Sequence, residues 1–376
     1  MPERRGADGV RADAEPAIEG RISQGFRPMP LLLRCLLALA CLSAWPGPAA
    51  ARMVTDAAGR RVEVPDRIER VLAAGPPAAV LLYTLAPRKM IGWPRAPSPE
   101  ERAFLTPDAA ALPSTGRLTG RGGTANVEAV LALKPDLIVD IGSTGPTYAS
   151  LADRVQAQTG IPYLLLDGSF SKVPETFRTL GAVIGVQAEG EALAAESERI
   201  LTAVAEAVAA VPPERRPRIY YGRGPRGLET GLAGSINTEI IEAAGGRNVA
   251  TAEGMGGLAG ISPEQVLAWN PDVIVALDPA FAANLPNDPL WSGLKAVHDG
   301  RVYAAPVLPF GWVDAPPGVN RLIGLRWLAG LFFPDSFPEP LAEAVTRFYR
   351  RFYHVEPSPA QVEALLGATA PLDKRR

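Results

Sequence analysis

The sequence predicts an α/β protein of two similar lobes with mostly parallel sheets, joined by a long rigid helix. The first observation is an internal repeat: residues 126–143 (NVEAVLALKPDLIVDIGS) return as residues 262–279 (SPEQVLAWNPDVIVALDP) at a constant offset of 136. The second lies inside each copy. A short helix with an apolar face (Val130, Leu131 and Leu133; Val266, Leu267 and Trp269) stops where Pro135 or Pro271 denies the preceding residue its helical backbone. The run that follows, DLIVD or DVIVA, is short and apolar throughout, as expected of a strand buried on both faces of a helix-covered parallel sheet. The third is a helix over Glu189–Val211 whose Leu193, Ile200, Leu201, Val204, Val208 and Val211 form one apolar stripe. At 1.5 Å per residue it is about 35 Å long, enough to bridge two lobes. The repeat period is too long for stacked solenoid units and fits two lobes facing each other across a cleft.

The elements follow in order. Met53–Pro65 alternates and turns at Ala58-Gly59, as a small β-hairpin does. Arg70–Ala73 supplies a strand, Pro77–Leu85 a helix, and Met90–Gly92 a strand ending on Trp93. Residues 94–125 are rich in Pro and Gly and lead into the first repeat copy. Loops of this kind at strand ends are where ligands sit. A helix over 147–159 and a strand over 162–166 complete the lobe. Pro174–Ile184 forms a helix closed by Gly185, and the long helix ends at Pro212-Pro213. The second lobe begins with the strand Arg218–Tyr221 and continues with a helix over 235–244, the second repeat copy and a strand over 301–305. Helices follow near 318–332, 338–352 and 358–366. The division is thus residues 52–170, the linking helices 171–213, residues 214–335, and the C-terminal helices 336–376.

Of 376 residues, 47% are apolar and 21% charged, enough to bury two ordinary cores. The balance of 38 basic and 40 acidic residues argues against a nucleic-acid partner. Met29–Ala51 reads as a secretory signal: Arg34, the apolar run Leu36–Leu42, the breakers Pro46, Gly47 and Pro48, and Ala49-Ala50-Ala51 as the cleavage site. Export and a mature start near Arg52 are therefore expected. The apolar run is too short for a membrane span, and Ala38 disfavours a lipid anchor on Cys41. Both cysteines, Cys35 and Cys41, lie in the leader, so the mature chain relies on no disulfide.

The motifs exclude more than they assign. Gly222, Gly224 and Gly227 form a G-x-G-x-x-G after a strand, but no helix opens at the third glycine, so a dinucleotide site is not expected. With only His298 and His354, and no cysteine after cleavage, a bare metal site and hydrolase chemistry both lack their residues. No catalytic residue, resident metal or cofactor is expected. At the strand ends the sequence places Trp93, Arg121 with Gly122, Ser143 and Thr144, Tyr221 and Arg223, Met255, Phe310 and Trp312. Flat aromatics with a few fixed donors suit a bulky organic ligand carrying anionic groups. Glu128 and Glu264 occupy the same place in the first turn of each repeat helix. They serve as helix-start charges or as a matched two-point electrostatic plug.

These stretches together resemble the periplasmic substrate-binding proteins of ABC importers for iron chelates and cobalamin, whose two lobes are joined by one rigid helix. The carriers are VTDAAGRRVEVP, NVEAVLALKPDLIV, INTEIIEAAGGRNVA with ISPEQVLAWNPDVIV, and DGRVYAAP, within residues 53–355. The resemblance implies a monomeric periplasmic receptor that delivers a metal chelate or an oxyanion to an importer, with Glu128 and Glu264 docking onto permease arginines. The segment PFGWVDAPPGVNRLIGLRWLAGLFFP is similar to members that take iron chelates, haem or molybdate. The rivals are a chelatase-like or nitrogenase-like two-lobe enzyme, which secretion and the missing Cys and His ligands oppose, and a structural protein, which needs no such cleft. A linking helix also implies little hinge closure.

Overall fold

A computed structural model describes residues 51–120, 126–251 and 256–367. The signal segment up to Ala50, with Cys41, lies outside them. Strands β1 (Ala51–Thr55) and β2 (Arg61–Pro65) form the expected antiparallel hairpin. Its turn is shaped by Asp56, whose carboxylate accepts from the backbone N–H of Ala58 and Arg60 and pairs with the Arg60 guanidinium. Lobe one is a parallel sheet of β3 (Val71–Ala73), β4 (Leu137–Gly142) and β5 (Tyr163–Asp167), with β4 central. It is covered by α1 (Pro76–Leu85), α2 (Val127–Leu133) and α3 (Pro146–Thr159). The strand expected over Met90–Gly92 is reduced to single bridges at Met90 and Trp93, because the proline-rich chain leaves the sheet there.

Helices α4 (Val173–Val183) and α5 (Gln187–Ala209) join the lobes. They cross glycine on glycine: a side chain on Gly190 would strike the Phe177 carbonyl and the Cα of Gly181, so the backbones approach closely only because neither has one. Lobe two is a parallel sheet in the order β11 (Val302–Ala304), β10 (Val273–Ala276), β6 (Arg218–Gly222), β8 (Arg247–Asn248). Around it lie α6 (Glu239–Ala243), α7 (Pro263–Trp269) and α8 (Pro279–Asn284). The small pair β7 (Glu229–Gly231) and β9 (Leu258–Gly260) is antiparallel. The helix expected over 235–244 begins only at Glu239, because residues 235–238 are held in hydrogen-bonded turns. Helices α9 (Arg321–Phe332), α10 (Leu341–Phe352) and α11 (Pro359–Gly367) close the chain. α10 and the residues after it return to lobe one and the linker: the Tyr83 hydroxyl donates to the Tyr353 carbonyl at 2.5 Å, and Arg351 pairs with Glu189 on α5. Among the described residues no helix is long and apolar enough to cross a membrane.

The repeat has a common frame. Asn126 caps α2 by accepting from the Ala129 N–H, and Ser262 caps α7 by accepting from the Gln265 N–H. Each helix buries one valine, Val130 or Val266, and ends on a left-handed residue, Lys134 or Asn270. The aspartate of each Pro-Asp pair then accepts backbone N–H groups at the start of the neighbouring strand: Asp136 from Glu69 and Arg70, Asp272 from Arg218. In return Arg70 donates to the carbonyls of Leu133 and Lys134, and Arg218 to that of Asn270. One arginine and one aspartate thus fix each helix end to its sheet.

The lobes share more than the linker. Arg321, fully buried, donates to the Gly168 carbonyl of lobe one at 3.0 Å, to the Ile236 carbonyl at 2.7 Å and to the Glu239 carboxylate at 2.8 Å. Glu239 also accepts from the Phe170 N–H, and the guanidinium lies over the Phe170 ring.

Asp140, buried on β4, accepts hydrogen bonds from the hydroxyls of Tyr163 and Thr119 and from the Ile141 N–H. No cation pairs with it among the described residues, and burial pushes its carboxyl from 3.8 up to about 6. The fold therefore binds this proton more tightly than the unfolded chain does, so stability falls as the pH rises from about 4 through about 6. Asp140→Asn is expected to raise unfolding stability at pH 7 by up to about 3 kcal/mol, with the gain vanishing near pH 4. Denaturant titration at the two pH values checks this; a difference that does not shrink at pH 4 contradicts burial as its cause.

Candidate functional site

A cavity of about 320 Å³ opens between lobe one and the segment that leaves β11. From lobe one come the first turns of α1 (Pro76, Ala79, Val80), then Trp93, Pro94, Arg95 and Pro97, and Glu101, Leu105 and Arg117. From the other side come Val307, Pro309, Phe310, Ala315 and Pro316. The proline-rich stretch fixes these groups because it has few alternative backbones. Ser98 and Glu101 form a capping box on the short helix Pro99–Arg102, which holds the Glu101 carboxylate against both terminal nitrogens of the Arg95 guanidinium. Trp93 donates its indole N–H to the Ala109 carbonyl and packs against Tyr83 and Phe310. The wall is thus mainly aromatic and aliphatic, with two guanidiniums and one carboxylate. Such a surface suits an anion that carries its own apolar area.

Of the residues singled out from the sequence, Trp93 and Phe310 meet at this cavity, one from each side. Trp312 and Tyr221 do not reach it, and each has 0% exposure. The Trp312 indole donates to the Tyr349 hydroxyl beneath α9 and α10, where Gly324 leaves room for its backbone, so its apolar area stabilises the core. The Tyr221 hydroxyl lies against Arg223 and Asp314; burial, then the Asp314 charge, pushes it well above the usual tyrosine range. Arg223 is held by Glu229 and by Asp314 at 2.8 Å. With a carboxylate on either side its charge is already matched. The two pairs order the loop after β6. Ser143 is exposed and Thr144 half-buried in the loop that opens α3, outside the cavity wall, with the Ser143 hydroxyl accepting from the Gly145 N–H. Arg121, Gly122 and Met255 lie outside the described residues.

Sequence reasoning missed Arg95, Glu101 and Arg117, although all three fall in the Pro- and Gly-rich stretch it singled out. The usable signal was Ser98-Pro99-Glu100-Glu101, a capping-box pattern that fixes a carboxylate six residues from Arg95. Among the described residues no three His, Cys, Asp or Glu converge to hold a metal ion. His298 is exposed beside Asp299, and the His354 ring lies on the Tyr83 and Thr84 carbonyls. Neither faces the cavity.

The chain is 25% identical over 365 residues to the molybdate-binding protein MolA of Haemophilus influenzae, covering 88% of this chain and 97% of that one. It is 28% identical over 230 residues to a cobalamin-binding protein of Halobacterium salinarum, covering 58% of this chain and 57% of the relative. Among solved structures, an ABC transporter solute-binding protein from Sulfurospirillum deleyianum superposes with a TM-score of 0.77 at 29% identity, covering 84% of this chain and 99% of its own. The periplasmic binding protein family matches residues 93–307, which run from Trp93 in the cavity wall to Val307 opposite and take in the linker and both repeats. The chain belongs to the periplasmic binding protein family, a solute-binding protein of an ABC importer and not an enzyme.

Proposed function

We propose that the chain is an exported receptor for an anionic metal complex with organic surface, such as a ferric chelate, which it hands to the permease of its importer. In this reading residues 29–51 are removed on export, residues 52–170 and 214–335 are the lobes, and residues 171–213 link them. The observation that carries it is the cavity between lobes, where Trp93, Phe310 and prolines supply apolar walls and Arg117 supplies a guanidinium beside the Arg95–Glu101 pair. A bare oxyanion is the second reading, favoured by the near full-length similarity to a molybdate-binding protein. Tryptophan fluorescence, with Trp93 as reporter, distinguishes them by titration with ferric siderophores, haem, cobalamin and molybdate. A dissociation constant of about 1 μM or below, near −8 kcal/mol, is expected for one of these. Arg117→Ala is expected to weaken it about tenfold, the share of one charge-assisted hydrogen bond. No saturable response to any of the four contradicts the ligand class.

The repeat helices supply the docking surface in this reading. Glu128 and Glu264 are exposed in the first turns of α2 and α7, and the leucine one turn on is exposed in both, Leu131 at 44% and Leu267 at 42%. Two lobes thus present the same pair, a carboxylate and an apolar side chain, at i and i+3 on one helical face. Glu128→Ala or Glu264→Ala strands a permease cation, a loss of about 2–5 kcal/mol when the pair is buried. Uptake into vesicles carrying the cognate importer is expected to fall in each variant and further in the double variant, with ligand affinity unchanged. Normal uptake by the double variant reduces both residues to helix-start charges.

A further inference from the structure

A second cavity, of about 210 Å³, lies away from the cleft, where the linker helix α5 meets α9 and α10. Its floor is apolar: Ile200, Val204, Leu322, Ile323 and Phe348. Its rim is charged in an unbalanced way. Arg199 is held by Glu196, and Arg347 is held by Glu339 and lies near Glu196. That leaves Arg326. This half-buried guanidinium stacks on Phe337 and donates to the Glu339 carbonyl at 2.7 Å, but no carboxylate among the described residues forms an ion pair with it. Burial holds its pKa below the usual arginine value, and the Glu339 charge offsets only part of that. The rim therefore carries three cations to two carboxylates, above a surface that water solvates poorly.

We infer that this cavity is a binding site for a small amphiphilic monoanion, a short-chain aliphatic carboxylate whose head pairs with Arg326 and whose chain covers the apolar floor. The size fits: an apolar cavity of about 150 Å³ accepts benzene, and this one is larger by roughly the volume of a carboxylate. A charged head is selected because a half-buried guanidinium gains most from a charge-assisted, two-point hydrogen bond. A chain is selected because an inorganic anion leaves the floor wet. The inference is independent of what the cleft binds.

Isothermal titration of the full mature chain with sodium hexanoate tests it, with acetate, hexanol and hexylamine as controls. Saturable one-to-one binding of hexanoate is expected, at least tenfold tighter than any control. Arg326→Gln removes the charge, and Ala203→Phe puts a ring into the mouth of the cavity on the exposed side of α5 without touching the guanidinium; each is expected to weaken binding at least tenfold. Arg117→Ala, in the cleft, is expected to leave it unchanged. No saturable hexanoate binding by the native chain overturns the assignment, as does binding that survives either of the first two substitutions or is lost in Arg117→Ala.

Discussion

The arrangement of the two lobes depends on one buried guanidinium. Arg321 projects from α9 and donates to the end of β5 in lobe one, to the turn before α6 in lobe two, and to Glu239, which itself holds the Phe170 N–H. Taking a charge this deep out of water costs several kcal/mol, offset only where the donors are matched, as they are here. A hinge motion that pulled β5 from α6 would expose the pair and leave the Gly168 carbonyl and the Phe170 N–H without partners. The apolar core adds to this constraint. One continuous set of buried side chains runs from Val71 and Leu81 in lobe one, through Leu193 and Val204 on the linker, to Tyr349 and Phe352 on α10.

Function follows from a cleft built in advance. Its walls come from α1 and the proline-rich segment on one side and from the segment after β11 on the other. The aromatic contacts of Tyr83, Trp93, Phe310 and Tyr353 tie these walls to the end of α10. A preformed site loses little conformational entropy on binding. It also keeps the two repeat helices at a fixed spacing, which the proposed two-point docking through Glu128 and Glu264 requires.

Much of this was legible in the sequence because it is periodic. The repeat, the two parallel sheets and the long linker all rest on apolar spacing and on prolines that end helices. What was not legible rests on pairs far apart in the chain. Trp312 and Tyr221 have the composition of ligand contacts, yet packing encloses them, and nothing local separates a tryptophan under α10 from one facing a cleft. Arg223 reads as a donor until Asp314, ninety-odd residues away, is seen beside it. Strands β7, β8 and β9 are two or three residues long, too short to show alternation. The arginine that caps each repeat helix lies outside the repeated stretch itself, so its match between lobes emerges only in three dimensions.

The central claim is that the lobes form one body whose cleft exists before the ligand arrives. The most direct measurement is the distance between paired spin labels, one on the exposed face of α3 and one on the exposed face of α7, with and without saturating ligand. A shift below about 2 Å is expected, the range of preorganised complexes. Closure by several ångströms on binding would show that the Arg321 contacts break in the working cycle and would contradict the account.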